Sequence, residues 1–406
     1  MAATVLTGTL GVEDVNSAKQ VRDVSKRLHY KYMNLGPITA LLMKMPKGET
    51  AKAPKVEWLR SDKLPRWDAV VTGAAATTSS ATAEIVVTNI SYFKLGDTVE
   101  IADLSYATTE TNVGVITTHT TATSTIALTP VGWQSNLAAT ACTFPAIAAG
   151  MRIHILTDSS EEYSQSPAMK VLQVENEWNN IGFKRAPFIV GNIQMDQENY
   201  SGPERKQRKK ETHDDIRIQF EEDLFHGERY HRDGTNGRQF FMRGFKRFLR
   251  QGGGVNVWQY GGNFNEASLD EALLKGPCQA AIGSQTRFWF MGNDLFLKVL
   301  AIGKAKERII GQQTILGQNF TIYLAPGGIK IYMTVHHLMT DVYSGAGLLI
   351  DPTRARIRPY GTQGVFRYLE GIQENDRAGV KDEWQIIGSL EIDRIDPHMW
   401  VEDVAA

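Results

Sequence analysis

The residues best suited to chemistry form two small groups: His336-His337 with Asp341, and Glu222 with His226 one helical turn later and His231 beyond. Imidazole nitrogens and carboxylate oxygens on adjacent turns can converge on zinc or another divalent ion, and Glu222, His226 and His231 would then suit a metal-dependent hydrolase. Adjacent histidines on a strand, however, point to opposite faces, so His336 and His337 share a site only where the backbone is irregular. The expectation is therefore no metal, no cofactor and no catalysis. Cys142 and Cys278 are too few for a disulfide framework, too far apart for a CxxC motif, and without a nearby histidine to make a nucleophile. Gly303-Lys304 lacks the glycine spacing of a phosphate-cradling loop, and no GxGxxG, GxSxG or HExxH occurs. The basic runs Arg205 to Lys210 and Arg243 to Arg250 can touch phosphates but belong to no module that reads sequence.

The elements that must position such residues are written unevenly along the chain. Its 406 residues, 42% of them hydrophobic, can bury a sizeable core and suggest two or three units. A net charge of −1 lacks the basic excess of a protein whose task is gripping nucleic acid, whereas a wall that merely contains DNA needs none. The N-terminus shows no basic segment followed by an apolar run, and no apolar stretch is long enough to span a bilayer, so neither secretion nor membrane insertion is expected, and the two cysteines fit synthesis in a reducing cytoplasm.

Residues 1–46 hold one predicted helix, capped by Ser17, with Val21, Val24 and Leu28 on one face. From Pro46 to Asp68, alternating charge broken by Pro54 and Pro65 predicts an extended arm. Ala69 to Gly150 is rich in Thr, Ala and Val, with no Asp, Glu, Lys or Arg between Thr111 and Gly150. It predicts a β insertion with strands at Ala83–Thr88, Thr98–Ile101, Val113–Thr117 and Thr125–Leu128, and a turn at Gly96-Asp97. The apolar faces of these strands are narrow, which predicts little self-contained core.

Pro203 to Phe225 is the clearest helix: Gly227 ends it and Ile216, Phe220 and Leu224 recur every fourth residue. Its basic first half (Arg205, Lys206, Arg208, Lys209, Lys210) and acidic second half (Asp214, Asp215, Glu221, Glu222, Asp223) oppose the helix dipole. Either a solvated face or partner charges from neighbouring chains would account for that order. Gln239 to Leu249 predicts a short helix with Phe241, Phe245 and Phe248 on one side. A mixed region follows: a capping box at Ser268 and Glu271, a strand at Arg287–Met291, a helix from Leu295 to Ile302 capped by Asp294, and a hairpin of Thr321–Leu324 and Ile329–Val335 around Pro326-Gly327-Gly328. A strand from Trp384 to Ile395 ends the series.

Taken in order, these segments resemble the capsid fold of tailed bacteriophages. Lys55-Val56-Glu57-Trp58-Leu59 is similar to the start of the family's extended loop, Asn176-Glu177-Trp178-Asn179-Asn180 to its end, and Pro203–Phe225 to its spine helix. Gly237–Leu249, Ser268–Lys275 and Phe288–Leu300 resemble the passage into the axial domain. Asp351–Tyr360, with Arg354, Arg356, Arg358 and Pro359, and Val380–Ile395 resemble the closing strands. The resemblance implies an α+β fold: an N-terminal arm (1–46), an extended loop (47–200) with the β insertion at about 69–150, a peripheral domain with the spine helix (201–250), an axial α/β domain (251–350) and closing strands (351–406). It implies a major capsid protein of the virion that assembles as hexamers and pentamers of an icosahedral shell around double-stranded DNA. The implied partners are its own copies, a separate scaffolding protein, a portal and a decoration protein. Candidate interface residues are Trp58, Trp178, Arg205, Lys206, Lys209, Lys210, Glu221 and Glu222. The rival reading is a phage tail or adhesin component that binds through its Thr-rich β segment.

Overall fold

The computed structural model describes residues 36–45, 48–77, 81–105, 110–131, 143–158, 170, 172–199, 202–251, 256–261, 264–278, 284–315, 317–373, 375–376 and 378–402. The predicted helix beginning at Ser17 and Cys142 lie outside them. The chain divides into two compact units, Leu59–Glu175 and the remainder, Met1–Trp58 with Asn176–Ala406.

The smaller unit is a closed antiparallel barrel of six strands in the order Trp67–Thr72, Ala83–Val87, Thr125–Pro130, Val113–Thr120, Asp97–Ile101 and Arg152–Asp158. All four strands expected from the sequence are present, three within one or two residues of their expected ends and the one expected at Val113–Thr117 running three residues further, to Thr120. Each alternates, so that Ile85, Val87, Val99, Ile101, Ile116, Ile126, Leu128 and Ile153 point inward and are buried. The expectation of little self-contained core is overturned here. A two- or three-residue apolar face is too narrow for one strand alone, but closure points six such faces at one interior. Gly114 makes room for it: a Cβ there would stand 2.5 Å from the ring of Phe144, which fills the barrel with no exposed surface.

In the larger unit a seven-stranded mixed sheet runs in the order Val257–Gln259, Met399–Glu402, Gly347–Ile350, Thr286–Met291, Lys330–Val335, Gln318–Leu324 and Ile309–Ile315. Its central strands are covered on both faces, and neighbouring residues divide between them. Phe288, Phe290, Leu348, Ile350 and Trp400 join the core of the spine helix. Trp289, Met291, Leu349, Met399 and Val401 join Leu269, Leu273, Leu295 and Val299 of the helices Glu266–Lys275 and Asn293–Ala305. A second sheet centres on Gly379–Ile392. That strand pairs with Gly182–Gly191 along one edge and with Phe366–Leu369 and Ala355–Pro359 along the other.

The long helix spans Glu204–His226, with Pro203 at the N-cap, one position before the expected place, and Gly227 at the C-cap. It buries Ile216, Phe220, Leu224 and Phe225, the stripe read from its spacing plus one further aromatic. Three local expectations are corrected. Gln239 to Leu249 is not one helix: Gly237–Phe241 is a strand paired with Tyr230–Gly234, and the helix is only Phe245–Gln251. Gly237, at φ 117°, makes the turn, and Phe241 is left exposed. The capping box is Asn265 with Ser268, three residues upstream of the expected pair. Asp294 lies inside its helix, which starts from Gly292 without a side-chain cap.

The arm from Gly48 to Asp68 is extended as expected. Its strand Lys55–Arg60 pairs with Glu175–Asn180, and Ala51 bridges to Tyr360, with the Ala51 N–H donating to the Pro359 carbonyl at 2.8 Å. The short helix Pro37–Lys44 is an addition to the sequence reading. Pro37 sits at a first-turn position, where its missing N–H costs nothing, and Ile38, Leu41 and Leu42 form the buried stripe.

Candidate functional site

The densest constellation of functional groups surrounds Glu221 on the inward face of the spine helix. The stripe that buries Phe220 and Leu224 carries Glu221 inward as well, to zero exposure. A carboxylate there is tolerable only if its oxygens are fully occupied. They are: the backbone N–H groups of Ile38 and Thr39 donate to them at 2.8 and 2.9 Å, the Thr39 hydroxyl donates a third bond, and His336 Nε2 donates from 3.0 Å. The Leu338 N–H donates to His336 Nδ1 at 3.1 Å, which places the ring proton on Nε2. Glu221 therefore caps the helix Pro37–Lys44 from a position 182 residues away and ties together arm, spine and the loop after Lys330–Val335.

A second group fixes the other end of the spine. Asp382, without exposure, accepts two bonds from the Arg205 guanidinium at 2.7 and 3.1 Å, one from the Tyr368 hydroxyl at 2.8 Å and one from the Gly371 N–H at 2.9 Å. Burial pushes its carboxyl up, but the bonds from Arg205, Gly371 and Tyr368 outweigh this and hold it below the usual carboxylate range. One turn on, Lys209 lies over the Tyr368 ring at 3.4 Å and 3.6 Å from Glu370, and its carbonyl accepts from Trp384 Nε1. Adjacent to Asp382, Glu383 takes a two-pronged contact from Arg185 at 2.5 and 2.7 Å. The charge order that opposes the helix dipole is thus answered within the chain, by Asp382 of the strand Gly379–Ile392 at Arg205 and by Tyr368 and Glu370 at Lys209.

The candidate metal ligands do not converge. Glu222 is exposed, His226 stacks on Tyr343 at 4.5 Å, and His231 lies on the Tyr230–Gly234 hairpin. Burial, then Lys246 and Arg247, lower His226 to about 4. His336 and His337 follow the end of their strand, so the strand rule does not apply to them, and their rings stack 4.8 Å apart. Burial and the His336 neighbour lower His337 to about 4. Cys278 is pushed up to about 11 by burial, a reluctant thiolate. Among the described residues no three His, Cys, Asp or Glu side chains are grouped to hold a metal, and no helix is long and apolar enough to cross a membrane.

Residues 11–405 match the SU10 major capsid protein family. The chain belongs to that family. No curated protein matches it. Among solved structures it is similar to the capsid of the native GTA particle, at 9% identity and TM-score 0.47, covering 99% of this chain and 100% of that one. It is also similar to the capsid of Myoviridae phage XM1, at 11% identity and TM-score 0.37, covering 60% and 80%. A third likeness is to the holo-SrpI encapsulin complex of Synechococcus elongatus, at 11% identity and TM-score 0.40, covering 57% and 76%.

As a major capsid protein, the chain is a structural component of the virion shell, and the tail-component reading falls away. The interface candidates then divide by position. Trp58 is 7% exposed and packs on Phe248 at 6.1 Å within its own chain. Glu221 has no surface to offer a neighbour, and Arg205 and Lys209 have the internal partners just described. Trp178 is half-buried between the Arg229 guanidinium, 3.7 Å from its ring centre, and Lys55 at 4.7 Å. Lys206, Lys210 and Glu222 are exposed on the spine. Sequence reading had no signal for Asp382 or Glu383 as anchors, because their alternation within a closing strand resembles that of solvated residues.

Proposed function

We propose that copies of this capsid protein assemble as hexamers and pentamers of an icosahedral shell that encloses double-stranded DNA without reading its sequence. The observation that carries this reading is the family match across nearly the whole chain. Physical features agree with it. A net charge of −1 suits a wall rather than a grip on DNA. Large apolar side chains stand open to solvent, including Ile193 at 88% and Val342 at 89% exposure, and copies of the chain would cover them. The protein performs no catalysis in this role, and no metal or cofactor takes part.

In the same reading residues 47–200 are the extended loop carrying the barrel, 201–250 with 351–406 the peripheral domain, and 251–350 the axial domain. Lys206, Lys210 and Glu222 are the spine residues that meet neighbouring copies. A separate scaffolding protein guides curvature, and a portal and decoration protein complete the particle. Electron microscopy of particles formed by the purified chain, alone and with the scaffold supplied, tests the proposal. Closed shells with five- and six-fold clusters support it; open tubes, fibres or dispersed monomers in both conditions overturn it.

A further inference from the structure

The segment ending the extended loop lies against a concentration of cations whose charges do not all balance. Lys55 pairs with Glu57, Arg229 with Glu177 at 3.5 Å, and Arg247 with Glu228 at 2.7 Å. Arg243 is the fourth. It is only 9% exposed, and its Nε and Nη1 are buried without a hydrogen-bond partner; it forms no ion pair among the described residues. Its backbone is held firmly. Asn179 accepts from the Arg243 N–H at 2.9 Å and donates to its carbonyl at 3.2 Å, and the guanidinium lies 5.2 Å from the centre of the Phe248 ring. Trp58, packed on the same Phe248 ring, carries a second buried donor without an acceptor, Nε1. Burial, then the nearby Arg229, disfavour the charge that Arg243 carries, and Glu177 and Glu228, which favour it without bonding to it, do not outweigh them.

A buried guanidinium with two unsatisfied nitrogens and no carboxylate bonded to it is among the costlier arrangements in a folded chain, and its fork geometry matches a carboxylate. We propose that Arg243 is a socket for an acidic side chain of a second copy of this chain, whose carboxylate meets the guanidinium from the side of Nη2, the nitrogen not sealed within the chain, and completes the ion pair when subunits come together. The local balance favours this occupant: three cation–anion pairs are closed within the chain, one cation has no bonded carboxylate, and the chain's exposed carboxylates include Glu49, at 91% side-chain exposure and 3.4 Å from Arg358, and Asp233, at 77% and 2.8 Å from Arg238, surface pairs of the kind that cost little to exchange. The inference rests on the chain assembling with its own copies. It gives Arg243 a double character, unfavourable in the free subunit and satisfied in the shell, so the pair adds to the difference between the two states.

Arg243→Met keeps the stem against Phe248 and removes the charge. The unassembled variant is expected to melt at the same temperature as wild type or higher, while the protein concentration needed for shells rises at least tenfold. Shells forming at the wild-type concentration would overturn the proposal. A second test uses Arg243→Lys in particles mixed from isotope-labelled and unlabelled copies and treated with a carbodiimide. A mixed-isotope peptide joining position 243 to an acidic residue supports the socket. Links only to Glu177 or Glu228 of the same chain, or none, sink it. Inorganic phosphate that raises the melting temperature of wild type but not of Arg243→Met, with no mixed-isotope link, would mean a solution anion is the occupant and also overturns it. Wild-type chain that forms no particles counts against the shell reading itself, whereas normal wild-type and Arg243→Met shells count against the socket alone.

Discussion

The barrel within Leu59–Glu175 has one apolar interior, with Asp68 and Asp97 buried beside it, whereas the larger unit adds to its two apolar cores the fully buried Glu221 and Asp382 at the crossings of its elements. Val99, Ile116, Ile126 and Leu128 need only be hydrophobic and of suitable size, and loss of one leaves a cavity. Glu221 and Asp382 must find particular donors, at distances near 2.8 Å, on segments far away in sequence. The first kind of core tolerates change gradually. The second is intolerant, because one lost partner strands several buried polar groups at once.

The sharpest test of that contrast is Glu221→Ala. It strands the N–H groups of Ile38 and Thr39, the Thr39 hydroxyl and His336 Nε2, all in buried surroundings, and a loss of about 4 kcal/mol is expected in chemical denaturation. Hydrogen exchange should accelerate over 36–45 while the barrel strands keep their protection. Acceleration in both units would erase the contrast. Ile126→Ala is the barrel's counterpart, costing about 3 kcal/mol through the cavity it leaves. Calorimetry should show the barrel's transition lowered with the larger unit's unchanged.

Acid should act on the larger unit before the barrel. Burial raises Glu402, but donors from Lys246, Gln259, Trp400 and Arg250 more than compensate and bring it to about 2. Its folded pKa lies below the unfolded value, so its stabilisation is complete above about pH 4.5 and is lost as pH falls toward 2, roughly 2 kcal/mol in all. His226 and His337, neutral when buried, also titrate below their ordinary value, so protonation withdraws stability as pH falls from 6.5 toward 4. A pH series of denaturation midpoints should show both windows, and Glu402→Gln should flatten the lower one. The smallest expected effect is Asn265→Ala, which removes the cap of Glu266–Lys275 and should cost about 1 kcal/mol, seen as a small shift in urea midpoint without change in slope.

Periodicity alone determined the spine helix, the four expected insertion strands, the Pro326-Gly328 hairpin and the order of segments that resembles a phage capsid. Each depends on neighbours within one or two turns, where side-chain spacing and glycine or proline act directly. Only the tertiary structure decided that the insertion closes into a barrel with its own core, that Gly237 begins a strand, and that Trp58 and Glu221 face inward. Closure is a property of six strands together, and no single narrow face announces it. Burial of a charge is equally invisible locally: Glu221 and Glu222 are the same residue type on adjacent positions, one sealed against His336 and the other in water. What separates them is 100° of helix rotation and a donor set brought from residues 38, 39 and 336, and only the folded chain supplies both.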